Sequence, residues 1–352
     1  MLKRGRQACR EGPAGNISRE LIFFLPLADK MDMAADTTDL RTSLTTILAG
    51  RPLPIIRQTA VKVIALLSSP LSKVDAIANA ILHDQAFTAR VLKVANSVFY
   101  QRRNEKITSL SQAILRTGYD TIRDIAIATE FAELVQKRLP QTVSLRRLLA
   151  KTFVAGHQAC ALAEAGRLPE AQALFTNVLL ESLGEFALAA YLPKVFLHID
   201  QTMERTGLPR EEAHLQATGM TPHEVTAIVA TTLELPNDLV VPPPADQRQA
   251  IVELTTTCAT NIFSRESPQI VVQLDTAMTR TAEIVGRPVE DVEILMADAF
   301  LKAMEFGGQV ELDSTCFALD GTTSPLTRRH SFIGLCIERA ERSSGVGSGL
   351  GV

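Results

Sequence analysis

The chain has 352 residues, 46% of them hydrophobic and only 5% aromatic, which is enough for one large or two modest domains with an aliphatic core. The formal net charge of −3 argues against a general attraction to nucleic acid. The cysteines show no CxxC spacing, which favours reduced thiols over a disulfide framework or zinc cluster; they are Cys9, Cys160, Cys258, Cys316 and Cys336.

The first 41 residues combine basic side chains with one apolar run, Leu21–Ala28. This run contains Pro26 and lies well after the first arginines, which does not fit a signal peptide. It also falls short of the roughly 20 residues needed to span a bilayer, as do the other apolar stretches of the chain. We therefore predict a disordered leader over residues 1–41, with Met31 or Met33 as alternative starts, and no membrane role.

From residue 42 onward, apolar residues recur with helical spacing, and no alternating run is long enough to predict a strand. Prolines and glycines such as Pro70 and Gly118 separate the helices. The predicted helices are Thr59–Ser68, Val74–Leu82, Phe87–Phe99, Ser109–Arg116, Thr121–Val135, Leu145–Ala165, Leu174–Leu192, Val195–Arg205, Pro209–Ala217, Thr221–Leu233, Asp246–Phe263 and Val289–Phe306. The predicted fold class is all-α.

Two changes of composition divide this helical region. A polar segment with a proline, residues 136–142, separates an N-terminal helical subdomain (42–140) from a second helical subdomain (141–265). A C-terminal helical extension (266–312) follows. After residue 312 the composition changes to Ser, Thr, Gly and charged residues, which predicts a flexible tail over residues 313–352.

The doublet His83–Asp84 is the first candidate for chemistry, because histidine and aspartate together are typical metal ligands. A metal site would need further ligands, and the available Asp75 and Asp120 have no convincing partner histidine. Asp84 instead precedes a helix predicted to begin near Ala86, where a short polar side chain can accept from unpaired backbone N–H groups. We interpret Asp84 as a helix cap.

The residues around this doublet carry a family pattern. Asp84–Tyr100 reads D-Q-A-F-T-A-R-V-L-K-V-A-N-S-V-F-Y, and Ile107–Gly118 reads I-T-S-L-S-Q-A-I-L-R-T-G. Together with Leu53–Pro54 ahead of a helix, they resemble the HDOD family over residues 45–263. That family has the helical scaffold of HD-type metal-dependent phosphohydrolases but has typically lost their metal site. The resemblance implies a multi-helical HDOD/HD-like fold with two packed helical subdomains.

The resemblance also implies where a metal site would have been. Leu179–Gly184 resembles "L-L-H-D-I-G", so Glu181 and Ser182 stand at the degenerate HD positions, and serine is a poor ligand. The upstream histidine would fall between Val154 and His157, and we interpret His157 as a core or groove histidine. A proline-rich run, residues 240–244, replaces the paired histidines usual further on. We predict no metal, no cofactor and no enzymatic activity.

The resemblance implies a cytoplasmic, bacterial, non-catalytic signal-transduction or regulatory protein that binds a partner protein or a small signalling ligand. We place the partner surface around Asn96, Tyr100, Arg102 and Arg103, because this segment leaves a buried helix and combines aromatic with positively charged groups. Two alternatives from other classes stay open. They are a divergent metal-dependent HD-type phosphohydrolase and a helical nucleic-acid-binding regulator.

Overall fold

The computed structural model describes residues 45–46, 58–69, 71–97, 106–133, 143–169, 171, 173–206, 208, 210–232, 247–263, 268–310, 312, 314–317 and 336. Over these residues all regular structure is helical, which confirms the predicted all-α class. The α-helices are α1 (Gln58–Ser68), α2 (Val74–Leu82), α3 (Gln85–Ala95), α4 (Leu110–Thr117), α5 (Tyr119–Glu133), α6 (Val143–Ala165), α7 (Ala173–Glu181), α8 (Leu183–Tyr191), α9 (Pro193–Thr206), α10 (Arg210–Thr218), α11 (Pro222–Thr232), α12 (Gln247–Ile262), α13 (Pro268–Val285) and α14 (Val289–Gln309).

Two of the predicted helices need corrected bounds, and one observed helix was not predicted. The single helix predicted over Leu174–Leu192 is two helices, α7 and α8, because the chain turns at Ser182. The helix predicted to run to Phe99 ends at Ala95. Helix α13 was not predicted as a separate element.

Side chains at the helix ends explain several of the observed bounds. Asp84 Oδ1 accepts a hydrogen bond of 2.9 Å from the backbone nitrogen of Phe87, so the predicted cap is confirmed, while His83 is exposed beside it. At the start of α11, the backbone nitrogen of Thr221 donates to Glu224 Oε2 at 2.8 Å, and the Glu224 nitrogen donates back to Thr221 Oγ1 at 3.1 Å. This reciprocal capping box satisfies two backbone donors that the helix leaves unpaired.

Helix α6 lies at the centre of the molecule and contacts α7, α12, α13 and α14. Its apolar residues are buried on several faces, as expected for a helix surrounded by others. Many of them are alanines, which allow neighbouring helices to approach closely. Buried hydrophobic residues from Ala60 to Cys336 form one continuous core around it.

The N-terminal helices pack against the rest of the molecule through α5. Helices α1, α3 and α4 contact α5, which in turn contacts α7. Every residue from Thr121 to Glu133 is buried, including its charged side chains. A second link joins the N-terminal helices to α14, because Lys93 Nζ on α3 donates to the carbonyl oxygen of Gly308 on α14 at 3.0 Å.

Some residues predicted to lie in a flexible tail belong to the core instead. Ser314–Phe317 forms a 3₁₀-helix that contacts α6 and α14. Cys316, Phe317 and Cys336 are buried within the hydrophobic core. Gly307 makes room for this packing, because a Cβ atom there would lie 2.7 Å from Phe317 Cε2. These apolar side chains therefore add to the core from outside the predicted helical extension.

One run in the described part of the chain, Ala173–Tyr191, is long and apolar enough to cross a membrane by length and composition. It comprises α7 and α8 rather than one continuous helix, and 78% of it is buried inside the protein. Burial among other helices accounts for its hydrophobicity, as in the core of many helical proteins. The run therefore gives weak evidence for a membrane span.

Candidate functional site

The degenerate HD positions lie at the turn between α7 and α8. The Ser182 hydroxyl donates weakly to the carbonyl oxygen of Val178 at 3.4 Å and receives a hydrogen bond of 3.1 Å from the Thr152 hydroxyl on α6. Both hydroxyl groups are buried. The side chain of Ser182, at the second degenerate HD position, thus joins the turn to α6.

Helix α11 is joined to the same turn by Thr226. The backbone nitrogen of Gly184 donates to Thr226 Oγ1 at 3.1 Å, and Thr226 Oγ1 donates to the carbonyl oxygen of Glu181 at 3.0 Å. A Cβ atom on residue 184 would lie 2.8 Å from the Thr226 backbone nitrogen. Glycine is required here because two helix backbones approach closely.

Glu185, one turn further on, is the buried carboxylate of this region. Its Oε1 accepts from Arg210 Nε at 2.8 Å and lies 3.1 Å from His214 Nε2, both on α10. Burial alone would raise the pKa of Glu185. The Arg210 charge and the hydrogen bonds from both partners outweigh burial, so that the pKa of this carboxyl lies well below its usual range.

Glu181 differs from Glu185 in its electrostatic environment. Burial raises the pKa of Glu181, the Arg210 charge opposes this rise, and the nearby Glu253 adds to it. Glu181 therefore holds a proton more readily than an exposed glutamate does. A carboxyl group of this kind is a poor ligand for a cation compared with an ionised one.

A small cavity of about 60 Å³ opens beside these groups, and we call it the Ser182 cavity. Its polar lining is Lys151, Thr152, Glu181, Ser182, Glu185, Asp200, Arg210, Thr256 and Thr260. Its volume can hold a few water molecules. Among the described residues, no group of three or more His, Cys, Asp or Glu side chains is arranged to hold a metal ion. The site can bind water and organise α6 to α10.

The structure places His157 away from the degenerate HD positions. The residue of α6 that reaches Ser182 is Thr152, whereas His157 lies further along the helix. The ring centroid of His157 lies 4.7 Å from that of Phe175 and 5.3 Å from that of Phe306. Since His157 and Ser182 line different cavities, the interpretation of His157 as a groove histidine agrees with its position.

The second cavity, of about 240 Å³, lies between α5, α6, α7 and α14, and we call it the His157 cavity. It is lined by Thr121, Asp124, His157, Cys160, Ala161, Glu164, Phe175, Lys302, Phe306 and Gln309. Sequence reasoning did not group these residues, because they come from four helices. A signal was present, since the α6 members His157, Cys160, Ala161 and Glu164 have the spacing of one helix face.

Asp124 is the buried carboxyl group on the wall of the His157 cavity. The Thr176 hydroxyl on α7 donates to Asp124 Oδ1, and Arg123 Nε donates to Thr176 Oγ1 at 3.3 Å. Arg123 also pairs with Asp120 on the same helix. Burial raises the pKa of Asp124 to about 7, against the hydrogen bond from Thr176 and the Arg123 charge. The group can therefore exist in either protonation state near neutral pH.

Of the residues assigned to a partner surface, the structure describes Asn96. Its Nδ2 donates to the carbonyl oxygens of Leu92 and Ile107, each at 2.8 Å, and its Oδ1 accepts from the Ile107 nitrogen at 2.8 Å. Through its amide group, Asn96 thus joins the end of α3 to the segment that precedes α4. Tyr100, Arg102 and Arg103 lie outside the described residues, as do the leader and residues 240–244.

Comparisons with known proteins match this fold. An HDOD domain protein of unknown function from Geobacter sulfurreducens is 18% identical, with a TM-score of 0.57 over 78% of this chain and 98% of that one. A protein from Shewanella amazonensis SB2B, provisionally named a phosphohydrolase, is 19% identical with a TM-score of 0.57, over 79% and 100%. One from Marinobacter aquaeolei VT8, provisionally named a signal transduction protein, is 15% identical with a TM-score of 0.54, over 81% and 68%.

At these identities the solved structures establish a shared fold and no more. Comparison with curated protein sequences gives no match. The model of the HDOD domain matches residues 53–246, which is more than half of the chain. This match confirms the resemblance seen in the sequence motifs and agrees with the helical architecture. The chain belongs to the HDOD domain family.

Proposed function

We propose that this protein is a cytoplasmic, non-catalytic regulator that acts by binding a partner protein or a small signalling ligand. The observation that carries the proposal is the ion pair between Glu185 and Arg210, completed by His214. The carboxylate of Glu185, one turn after the degenerate HD positions, is already paired with a guanidinium group and lies within hydrogen-bond distance of an imidazole. A carboxylate that is paired in this way can stabilise the packing of α8 against α10 but is not available as a metal ligand.

The chemistry of the neighbouring groups supports the same proposal. Water activation by a divalent metal needs several ionised oxygen or neutral imidazole ligands converging on one point. At the Ser182 cavity, Ser182 and Thr152 supply hydroxyl groups, Lys151 and Arg210 bring positive charge, and burial raises the pKa of Glu181. Positive side chains repel a metal cation. Their presence favours a turn that serves packing over one that binds a metal.

The purified protein is expected to hold no stoichiometric iron, manganese or zinc after a brief chelator wash, and to leave a generic phosphodiester intact with added manganese. The reason is the loss of the His-Asp pair together with the neutralisation of Glu185. Elemental analysis and a colorimetric phosphodiesterase assay measure both quantities.

Two carboxyl variants sharpen this experiment. Glu185→Gln removes the buried carboxylate, and Glu283→Gln changes an exposed one on α13 as a control. One equivalent of metal and a hydrolytic activity, both lost in Glu185→Gln and kept in Glu283→Gln, would establish the phosphohydrolase alternative. A shift of nonspecific DNA that weakens steeply with salt would instead establish the nucleic-acid alternative.

The proposed partner surface remains the segment with Tyr100, Arg102 and Arg103, whose two ends Asn96 holds together. A double change of Tyr100→Ala with Arg103→Glu is expected to abolish partner capture from native-cell extract, because tyrosine and arginine most often anchor interfaces. Capture is measured by affinity purification and mass spectrometry, and circular dichroism checks the fold. Arg287→Glu, an exposed charge reversal elsewhere, is the control. Capture that survives the double change but is lost on removing residues 337–352 would assign recognition to the tail.

A further inference from the structure

We propose that the His157 cavity binds a small planar nitrogen heterocycle of one or two rings, in contact with Phe175 and Phe306 and hydrogen-bonded to His157. This inference rests on the proposed function, because it gives the small signalling ligand of that function a site and a chemical class. It concerns a cavity separate from the degenerate HD turn, with different lining residues.

The size and walls of the cavity favour a flat ring. Its volume of about 240 Å³ lies just below the roughly 300–1,000 Å³ of pockets for drug-sized molecules, so one or two rings fit. Phe175 and Phe306 form the apolar wall, with ring centroids 5.3 Å apart in an edge-to-face arrangement. Such rings attract another aromatic ring beyond the effect of buried area alone.

The polar atom that points to a ligand is Nε2 of His157. It is buried and has no hydrogen-bond partner among the residues that the structure describes. Both phenylalanine rings of the wall pack against the same imidazole. Leaving a buried nitrogen unpaired costs free energy, which a ligand hydrogen-bonding group directed at it would recover.

The imidazole that faces the ligand is uncharged. Burial and the nearby Lys302 lower the pKa of His157 to about 3, so the imidazole is neutral at physiological pH. A neutral imidazole has one donor and one acceptor nitrogen, and its tautomer decides which of the two Nε2 is. Asp124, Lys302 and Gln309 line the same space and present both acceptors and donors. Nitrogen heterocycles carry N–H donors and ring-nitrogen acceptors in one plane, which matches this mixed lining.

One wall of the cavity comes from α14, a helix outside the HDOD domain match. Lys302, Phe306 and Gln309 have the spacing of one face of α14, and this helix lies beyond residue 246, where the match ends. Helices α5, α6 and α7 supply the other walls from within the matched region. The site therefore combines the family scaffold with the C-terminal extension of this chain.

Adenine is a suitable probe, and toluene serves as a smaller aromatic ring without polar atoms. Titration calorimetry and saturation-transfer NMR on the full chain, up to the solubility limit of each probe, are expected to detect adenine binding. Toluene is expected to bind about tenfold more weakly, because it cannot form a hydrogen bond with His157. No binding of adenine, or toluene binding as tightly as adenine, would overturn the assignment.

Two variants locate the ligand. His157→Phe keeps a ring in the aromatic cluster but removes the hydrogen-bonding nitrogen, and is expected to weaken adenine binding about tenfold. Ala161→Phe fills the cavity from the same face of α6 and is expected to abolish binding. Ala89→Phe, exposed on α3, adds the same ring elsewhere and should leave binding unchanged. Melting curves confirm that each variant is folded.

The outcomes separate this inference from the proposed function. Adenine binding that survives Ala161→Phe would place the ligand elsewhere and overturn the cavity assignment. Hydrolysis of a phosphodiester by the same preparation would overturn the non-catalytic function without affecting adenine binding. Absence of both hydrolysis and adenine binding would overturn only the inference about the His157 cavity.

Discussion

Replacing Arg210 with methionine is expected to lower the free energy of unfolding by about 3 kcal/mol at neutral pH. The change leaves Glu185 ionised and buried with His214 as its remaining partner. Breaking a buried ion pair usually costs 3–5 kcal/mol, and the lower end applies because 24% of the Arg210 side chain reaches solvent. Urea denaturation followed by circular dichroism measures the difference.

The pH dependence of this effect has a defined sign. Because the folded-state pKa of Glu185 lies below its ordinary value of 4.5, the stabilisation is complete above that pH and is lost as the pH falls through the folded-state pKa. The cost of Arg210→Met should therefore shrink below about pH 4.5. Adding Glu185→Gln to Arg210→Met should recover about 1 kcal/mol at neutral pH, since no unpaired charge then remains. A small, pH-independent cost without recovery would contradict the role of the pair.

Gly184→Ala is expected to destabilise the protein by about 2 kcal/mol, because the new methyl group meets the backbone of Thr226 at 2.8 Å. Either α8 and α11 move apart or the hydrogen bond from the Gly184 nitrogen to Thr226 Oγ1 is lost. Backbone atoms cannot rotate away as a flexible side chain can. The shift of the urea midpoint, with an unchanged slope, measures this cost.

Gly308→Ala is the matched control on another helix. A Cβ atom at Gly308 meets no atom within 4 Å, and alanine has a higher helix propensity than glycine. Since Gly308 lies in the last turn of α14, this change is expected to stabilise the protein by about 0.5 kcal/mol, the low end for a helical glycine. If the two substitutions had equal effects on stability, the close approach of helix backbones would not be the reason for glycine at residue 184.

Local sequence patterns predicted most of the helices but not where every helix breaks. Leu174–Leu192 is mostly apolar and contains no proline, so periodicity alone gives no reason for the chain to turn at Ser182. The turn depends on Thr152 and Thr226, which come from other helices. Helix α13 contains several β-branched residues, including Val271, Val272 and threonines, which lower its helix propensity. Its packing against α12 and α14 overrides that preference.

The candidate sites were predicted only in part, for a similar reason. The motif located the degenerate positions Glu181 and Ser182 because a family pattern surrounds them. The partners of Glu185 lie on α10, more than twenty residues away, and no local pattern joins Arg210 to that carboxylate. The His157 cavity needs four helices to meet. Such tertiary encounters are determined by how helices dock, which a single sequence does not reveal.

The last turn of α14 places three different contacts on consecutive residues. Phe306 lines the His157 cavity, Gly307 admits the ring of Phe317, and the Gly308 carbonyl accepts from Lys93. Successive helical residues point about 100° apart, so each contact faces a different neighbour. Inserting or deleting one residue within α14 would rotate all three contacts together, whereas a substitution alters one. The spacing along this helix is therefore under stricter constraint than the identity of its individual side chains.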